Sequence, residues 1–486
     1  MRNINSPTTT IELFAKKSVI FLLFMYKESI SPYLSTQCSY SLTCSDYAKN
    51  IIKEKGVFIG IFLSIIRLVK CTLLPLKNIF IFKYRFIFSY MKVPIKFNIF
   101  ILLIILFAFI SCTNFSHQGG WSNVILDSEN QSLYVSSNKG KLYNVITNDG
   151  VPSINWTYPE DSKGTSYSDP ILYENSVINS SFDCKGKSCE GEIYELNKSN
   201  GELVWQKNIP SKISPKIEIY KDLLLVSSLK KQENNHDLIT SEIYLISLND
   251  QNKGAIIGKI PVSGEIWSGA YLYNDMAFVA TLSGMLYIFD VDKMRDFSNN
   301  SFDQILIDSI QLPYAINSKL HFSSNRIYLS DVSGEFYSLN INNLQENKKV
   351  NINNWMISSP LFYLDKVYVF TINGDVFLID IKKHEIIESF STDKIIVGDP
   401  KKLQIDSDNY ILIPTEKNGI EIINNDPFDL GTSLGRYPTE KKLYSSPLIN
   451  ESNLIIHTQK SELLFFKLKN RDMYYCLDLN EEKICD

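Results

Sequence analysis

Eight cysteines are the residues whose type and spacing most constrain the chemistry of this 486-residue chain. Cys38, Cys44 and Cys71 fall in the first hundred residues, and Cys112 closes an apolar run. Cys184/Cys189 and Cys476/Cys485 form two close pairs further on. Paired cysteines suit an oxidising exterior, and unpaired thiols a reducing cytosol. The two pairs are therefore expected to be disulfides of an exported body. The three N-terminal thiols could supply part of a zinc site, but no His accompanies them and their spacing is not Cys-x2-Cys. They read as reduced cysteines packed in a small helical core, where free Cys behaves as a small hydrophobe. Gly431-Thr432-Ser433-Leu434-Gly435 fits the Gly-x-Ser-x-Gly string, whose serine needs a strand–turn–helix elbow to act as a nucleophile. Here the string stands between Asp426-Pro427 and Tyr437-Pro438 and is read as an inter-repeat loop. His117, His236, His321, His384 and His457 are scattered without metal spacing, and there is no phosphate-binding loop. No catalytic, cofactor-binding or metal-binding residue is assigned, and the chain is expected not to be an enzyme.

The elements that carry these residues divide at one place. Residues 1–96 hold 14 Lys/Arg against 4 Asp/Glu, a net of +10, and the remainder 35 against 49, a net of −14. A basic, apolar-rich head suits an anionic membrane surface, and an acidic body a soluble domain. Nucleic-acid binding is not expected, because the aromatics of the head are embedded among aliphatics. Residues 99–110 form a run of 12 apolar residues, short of the roughly 20 that span a bilayer. The run matches the apolar region of an export signal, with Lys92 and Lys96 ahead of it. By the positive-inside rule the head stays cytoplasmic and the body is exported. Phe109-Ile110-Ser111-Cys112 resembles a bacterial lipobox, which makes Cys112 the expected lipidation site. Met91 reads as a second start, so that residues 91–112 form a complete lipoprotein signal. An uncleaved anchor lengthened by its flanks is the other reading.

In the head, residues 12–27 place Lys16 and Lys17 before eight apolar residues, an amphipathic-to-apolar helix at a membrane surface. Ser31-Pro32 ends it. Thr43 or Ser45 can cap a second helix, with Asp46 suited to its positive end, and Gly56 is a C-cap or kink. Residues 57–70 repeat an apolar pattern, with Arg67 and Lys70 near its end. These two cations could contact lipid phosphate or a nascent chain, or form an ordinary solvated helix end. The same segment resembles the YidD family of membrane-protein-insertion efficiency factors over roughly residues 13–75. The resemblance rests on Ile30-Ser31-Pro32, Cys38, Thr43-Cys44-Ser45, Tyr47-Ala48, Gly56, Gly60, Arg67 and Lys70-Cys71. Leu42 stands where the family has Pro, Thr72 interrupts the usual Cys-His-Pro, and residues 76–90 replace a short Gly/Pro tail. The resemblance implies a role in inserting integral membrane proteins at the cytoplasmic face. The partners it implies are membrane lipids, the YidC/Sec machinery and nascent membrane proteins.

The body is built on a repeat. Alternating segments headed by Gly140, Gly191, Ser241, Gly284, Gly334, Gly374, Gly419 and Ser461 recur eight times, each after a short apolar strand. Strand, turn and alternating strand make a hairpin, and a period of 40–50 residues is the signature of a β-propeller. Eight copies predict eight blades, or seven if a terminal copy is irregular. Several periods open on a residue before proline, at Asp169, Ser214, Ser359, Asp399 and Ser446. Tyr194-Glu-Leu196-Asn-Lys-Ser-Asn-Gly201-Glu-Leu-Val-Trp205 resembles the motif of PQQ-type propeller repeats, in which aromatics such as Trp156 and Trp205 dock between blades. Two groups share that architecture. Quinoprotein dehydrogenases need a vicinal Cys-Cys and acidic calcium ligands, whereas Cys184 and Cys189 are not adjacent and Asp183 is isolated. The body therefore resembles BamB-like lipoprotein scaffolds.

The expected organisation is a helical head over residues 1–75, a basic-apolar linker over 76–98 and an apolar signal or anchor helix over 99–111. An all-β eight-bladed propeller follows over 112–486. The expected function is insertion of membrane proteins, coupled to an extracytoplasmic propeller that binds an unidentified protein. A quinoprotein dehydrogenase and an in-frame joining of two independent proteins are the rival readings.

Overall fold

The computed structural model describes residues 44–56, 60, 63–64, 66–67 and 122–485, less 149, 162–163, 186–187, 230–239, 298–299, 406–407 and 426–430. The chain divides into two units, Met1–Gln118 and Gly119–Asp486. The helix expected over 12–27, the run 99–111 and Cys112 lie outside the described residues. No helix among the described residues is long and apolar enough to cross a membrane.

In the first unit, Cys44–Lys55 is an α-helix. Ala48 and Ile52, four residues apart and hence on one face, are buried. Gly56 follows at φ 81°, a left-handed conformation that ends the helix and that glycine adopts without a side-chain clash. Helical residues resume at Gly60, whose N–H donates to the Gly56 carbonyl at 2.9 Å.

In the second unit, eight separate antiparallel sheets each take four consecutive strands, and the last takes five. The blades span residues 125–158, 171–209, 213–263, 266–311, 321–351, 361–391, 401–437 and 448–484. Each repeat read from the sequence is the third strand of a blade, from Leu142–Asn148 in the first to Glu462–Lys467 in the eighth. In blade 4 the heading glycine closes the turn from the second strand. Gly284 sits at φ 85°, and a Cβ there would lie 2.5 Å from the Leu312 carbonyl oxygen. Blades 2 and 3 depart from the expected turn. Gly191 and Ser241 lie inside longer third strands, Ser188–Asn197 and Thr240–Ser247, because the ladder runs on past them. In blade 2 that extension carries Cys184 and Cys189, which face each other in register one pair before its end at Lys185 and Ser188.

The apolar core is divided among the joints between blades. Tyr134 and Leu142 of blade 1 pack with Val177, Tyr194 and Leu196 of blade 2. Equivalent clusters fill the other joints, and Val124, Leu133 and Val145 meet Ile455, Leu463 and Phe465 to close the ring between blades 8 and 1. Inner strands are covered on both faces, which is why Leu223–Ser228 is buried at every position. The ring closes without a shared strand. The Asn138 N–H donates to the Ser461 hydroxyl at 2.7 Å, and the Ser446 N–H donates to the Asn123 side-chain oxygen at 2.7 Å.

Aromatic docks reinforce the joints. The Trp156 indole N–H donates to the Lys198 carbonyl at 3.0 Å, and a Cβ on Gly201 would lie 2.7 Å from the ring. Trp205 repeats the arrangement one blade on, against Gly254, with its N–H bonded to Glu195. Glu195 is itself paired with Lys253 at 3.0 Å. Phe390 takes the same place over Gly431 between blades 6 and 7.

Candidate functional site

Two constellations stand out among the described residues. The first is in the helical unit. A Cβ on Gly60 would lie 2.5 Å from Ile52 Cγ1, so the two helical segments approach closer there than a larger residue allows. The approach sets Arg67 over the Tyr47 ring, with the guanidinium carbon 4.3 Å from its centre. The Ser64 hydroxyl donates to the Gly60 carbonyl at 2.6 Å. The ring attracts the cation, whose fork of N–H donors is of the kind that suits phosphate or carboxylate oxygens. Of the residues that carried the family resemblance, Tyr47, Gly56, Gly60 and Arg67 thus build one hairpin. Cys44 and Ser45 open its first helix. Ser31, Pro32, Cys38, Thr43, Lys70 and Cys71 lie outside the described residues, as does any zinc site that would need Cys38 and Cys71.

The second constellation lies where the innermost strands begin, around the propeller axis. A serine from the start of each of several blades ties down the end of its second strand. Ser122 accepts from the Ser136 N–H at 2.8 Å and Ser318 from the Ser330 N–H at 2.8 Å, while Ser445 donates to the His457 carbonyl at 2.7 Å. The next residue in each blade then points toward its counterparts. The Asn123 backbone N–H and side-chain amide both donate to the Asp169 carboxylate, at 2.6 and 2.8 Å. The Ser446 hydroxyl donates to the Asp399 carbonyl at 2.9 Å. The Asp399 carboxylate accepts from the Ser359 N–H at 2.7 Å and pairs with the Lys319 ammonium, which reaches it from two blades away.

This network sets the local electrostatics. Burial alone would raise the Asp399 carboxyl, but the Lys319 ammonium and the Ser359 N–H outweigh it and hold it at about 2. Burial disfavours the Lys319 charge, yet Asp399 prevails, with help from Asp169, and raises its pKa. Burial lowers His321 to about 4, and Lys319 and Lys216 push the same way. His457 also falls to about 4 through burial, although its Nδ1 donates to the Ser122 carbonyl at 2.8 Å. The arrangement is a polar plug joining blades 1, 2, 5, 6, 7 and 8. Among the described residues the hydroxyls of Ser445 and Ser446 donate to backbone carbonyls rather than to a base.

The remaining sequence-selected residues fall elsewhere. Cys184 is bonded to Cys189 and Cys476 to Cys485. The Gly431–Gly435 string is not wholly a loop. Ser433 begins the outer strand Ser433–Tyr437 of blade 7, held by pairing with the strand Gly419–Asn424. Its hydroxyl donates to Glu421 at 3.2 Å, and no strand–turn–helix elbow forms. Among the described residues no group of His, Cys, Asp and Glu is arranged to hold a metal. The axial residues were missed by sequence reasoning. A partial signal was present in the residue before proline that opens five of the blades, charged at Asp169 and Asp399, but Asn123 and Lys319 precede no proline.

The family model described as "Putative membrane protein insertion efficiency factor" (YidD) matches residues 15–78. A protein of that description from Blochmanniella floridana is 40% identical over 55 residues, which are 11% of this chain and 74% of the relative. One from Cupriavidus metallidurans is 41% identical over 56 residues, 12% of this chain. This chain spans little more than half, 58%, of that second relative. The propeller superposes on BamB from Moraxella catarrhalis with TM-score 0.52 at 13% identity, covering 70% of this chain and 94% of that one. A europium-containing methanol dehydrogenase gives TM-score 0.51 at 9% identity, covering 72% and 82%. Both likenesses are of fold.

Proposed function

The chain belongs, through residues 15–78, to the YidD family of membrane protein insertion efficiency factors, and we propose that it assists insertion of integral membrane proteins from the cytoplasmic face. The carrying observation is that the matched segment contains the hairpin in which Gly60 seats against Ile52 and Arg67 stacks on Tyr47. A basic head of net +10 and the Arg67 guanidinium suit anionic lipid headgroups beside an insertase of the YidC/Sec kind. Replacing Arg67 with Ala tests this. Insertion yield of a reporter membrane protein, in cells that depend on this chain, should fall several-fold, and an unchanged yield counts against the proposal.

The propeller serves in this reading as a non-enzymatic, extracytoplasmic protein-binding scaffold. Residues 99–111 act as its export signal and Cys112 carries its lipid anchor. Support comes from the acidic body, the two disulfides and the BamB-like fold. A dehydrogenase would need an axial channel that admits a planar cofactor. Here Lys319 reaches across to Asp399 at that level, and Cys184 and Cys189 are not vicinal, so the residues present do not fit a quinone. Titration with PQQ should leave the protein's absorbance and activity unchanged. Tags at both ends, with and without a lipoprotein signal-peptidase inhibitor, separate a cleaved chain from an intact one. Two fragments without the inhibitor and one full-length band with it would identify two proteins released from a single translation product.

A further inference from the structure

The joint between blades 8 and 1 differs from the joints that carry aromatic docks. In blades 1 and 2 the docking tryptophan follows a skipped residue on the outer strand. Asn144 pairs with Trp156 after Val145 pairs with Ile154, and Glu195 pairs with Trp205 after Leu196 pairs with Leu203. Blade 8 keeps this register. Phe465 pairs with Tyr475 after Phe466 pairs with Met473, so Tyr475 stands where the docking aromatic belongs. The turn it should meet is in blade 1. There Asn148 pairs directly with Val151, leaving a two-residue connection in place of the longer turn that carries Gly201 in blade 2. Gly150 consequently has nothing within 4 Å of its Cβ position, whereas Gly201 and Gly254 each lie under an indole ring.

The unmet dock is a groove of about 500 Å³, lined on the blade 1 side by Ser153, Asn155 and Thr157 and on the blade 8 side by Tyr475, Leu477 and Ile484. Val151 and Ile484, 51% and 61% exposed, form apolar edges. The far wall is the short fifth strand Lys483–Ile484, added to the outer strand Met473–Asp478 and tied to it by the Cys476–Cys485 disulfide. The filled copies define what such a seat accepts. It takes a β-turn with a glycine in the left-handed conformation lying flat on the aromatic ring. In the Trp156 dock the carbonyl of Lys198, three residues before Gly201, accepts the ring's N–H, whereas the Trp205 N–H goes to the Glu195 carboxylate. Tyr475 offers a phenol hydroxyl as the corresponding donor.

We propose that the groove between blades 8 and 1 binds a glycine-containing β-turn of a partner protein, completing from outside the dock that the neighbouring blades complete from within. The inference rests on reading the propeller as a protein-binding scaffold, and the insertion assay of the helical unit does not report on it. The probe is a fluorescein-labelled cyclic peptide copying residues 194–205, titrated against the full chain in detergent and read by anisotropy. Binding should saturate and weaken at least tenfold in Ser153→Trp, which fills the groove, and in Tyr475→Ala. It should survive Leu364→Ser, an exposed residue of blade 6. If Ser153→Trp fails to fold by thermal melting, Ile484→Asp on the exposed wall takes its place. A peptide with valine at the Gly201 position should not bind. Absence of saturable binding, equal binding of the valine peptide, or indifference to the groove variants would each overturn the proposal. A concentration-dependent dimer abolished by Ser153→Trp would overturn it too, because the occupant would then be a second copy of the chain.

Discussion

Asp399→Asn isolates the charge that holds the axial plug. The amide can still accept from the Ser359 N–H but leaves the Lys319 ammonium facing its former partner without a counter-charge. Removing one partner of a buried pair costs about 3–5 kcal/mol. The Lys319 side chain is 43% exposed while Asp399 is 16% exposed, which brings the expectation to about 2–3 kcal/mol. Depression of the Asp399 carboxyl from 3.8 to about 2 corresponds to a similar figure, about 2 kcal/mol. Over the 368 residues of the unit Gly119–Asp486 the entropy of unfolding is about 0.8 kcal/mol/K. The melting temperature should therefore drop by about 3 °C in differential scanning calorimetry at pH 7. The folded-state pKa lies below the unfolded one, so this stability is present above about pH 4 and is lost as pH falls through about 2. The gap between the two proteins in urea melts should shrink from pH 5 to pH 2.5. Replacing both partners with apolar residues, Lys319→Met with Asp399→Leu, should recover most of the loss. A loss below about 0.5 kcal/mol at pH 7, or a gap undiminished at pH 2.5, would refute the assignment of a mutually held pair.

Trp205→Phe should keep the ring over Gly254 but remove the donor to Glu195, costing about 1–3 kcal/mol in urea unfolding. Gly284→Ala should cost more than about 1 kcal/mol in the same assay, because φ is 85° and the Leu312 carbonyl oxygen lies 2.5 Å from the Cβ position. His457, held neutral with a pKa near 4, makes the unfolded chain bind more protons between about pH 6.5 and pH 4. Stability should therefore fall as pH drops through that range, and His457→Gln should flatten the slope. Tyr47→Leu should retain the hairpin's apolar packing but release Arg67, lowering insertion yield less than Arg67→Ala does.

The propeller was legible because its period is written in chemistry. Each third strand alternates apolar residues behind a small residue, and eight such segments became eight blades. The docks were legible at Trp156 and Trp205 because the glycine and tryptophan both have sequence signatures. Phe390 over Gly431 was not, since a phenylalanine in an outer strand has no distinguishing neighbour. Turns misread at Gly191 and Ser241 show the limit of a repeat. The pattern marks the strand, but how far a ladder runs depends on what the neighbouring strand offers, here a hairpin prolonged to Cys184–Cys189. The axial pairs were invisible for a different reason. Lys319 and Asp399 stand 80 positions apart and meet only because the ring brings blades 5 and 7 to a common axis. In the helical unit Gly60 looked like one more family residue, and its contact with Ile52 gives it a steric reason.

The most direct test of the account compares three versions of the chain in cells that depend on it: the full sequence, residues 1–90 alone and residues 91–486 alone. The measurement is the fraction of a reporter membrane protein that becomes protease-protected in isolated membranes. The account predicts that the full chain and residues 1–90 restore insertion while residues 91–486 do not. Equal restoration by residues 91–486, or no loss of insertion without residues 1–90, would contradict it.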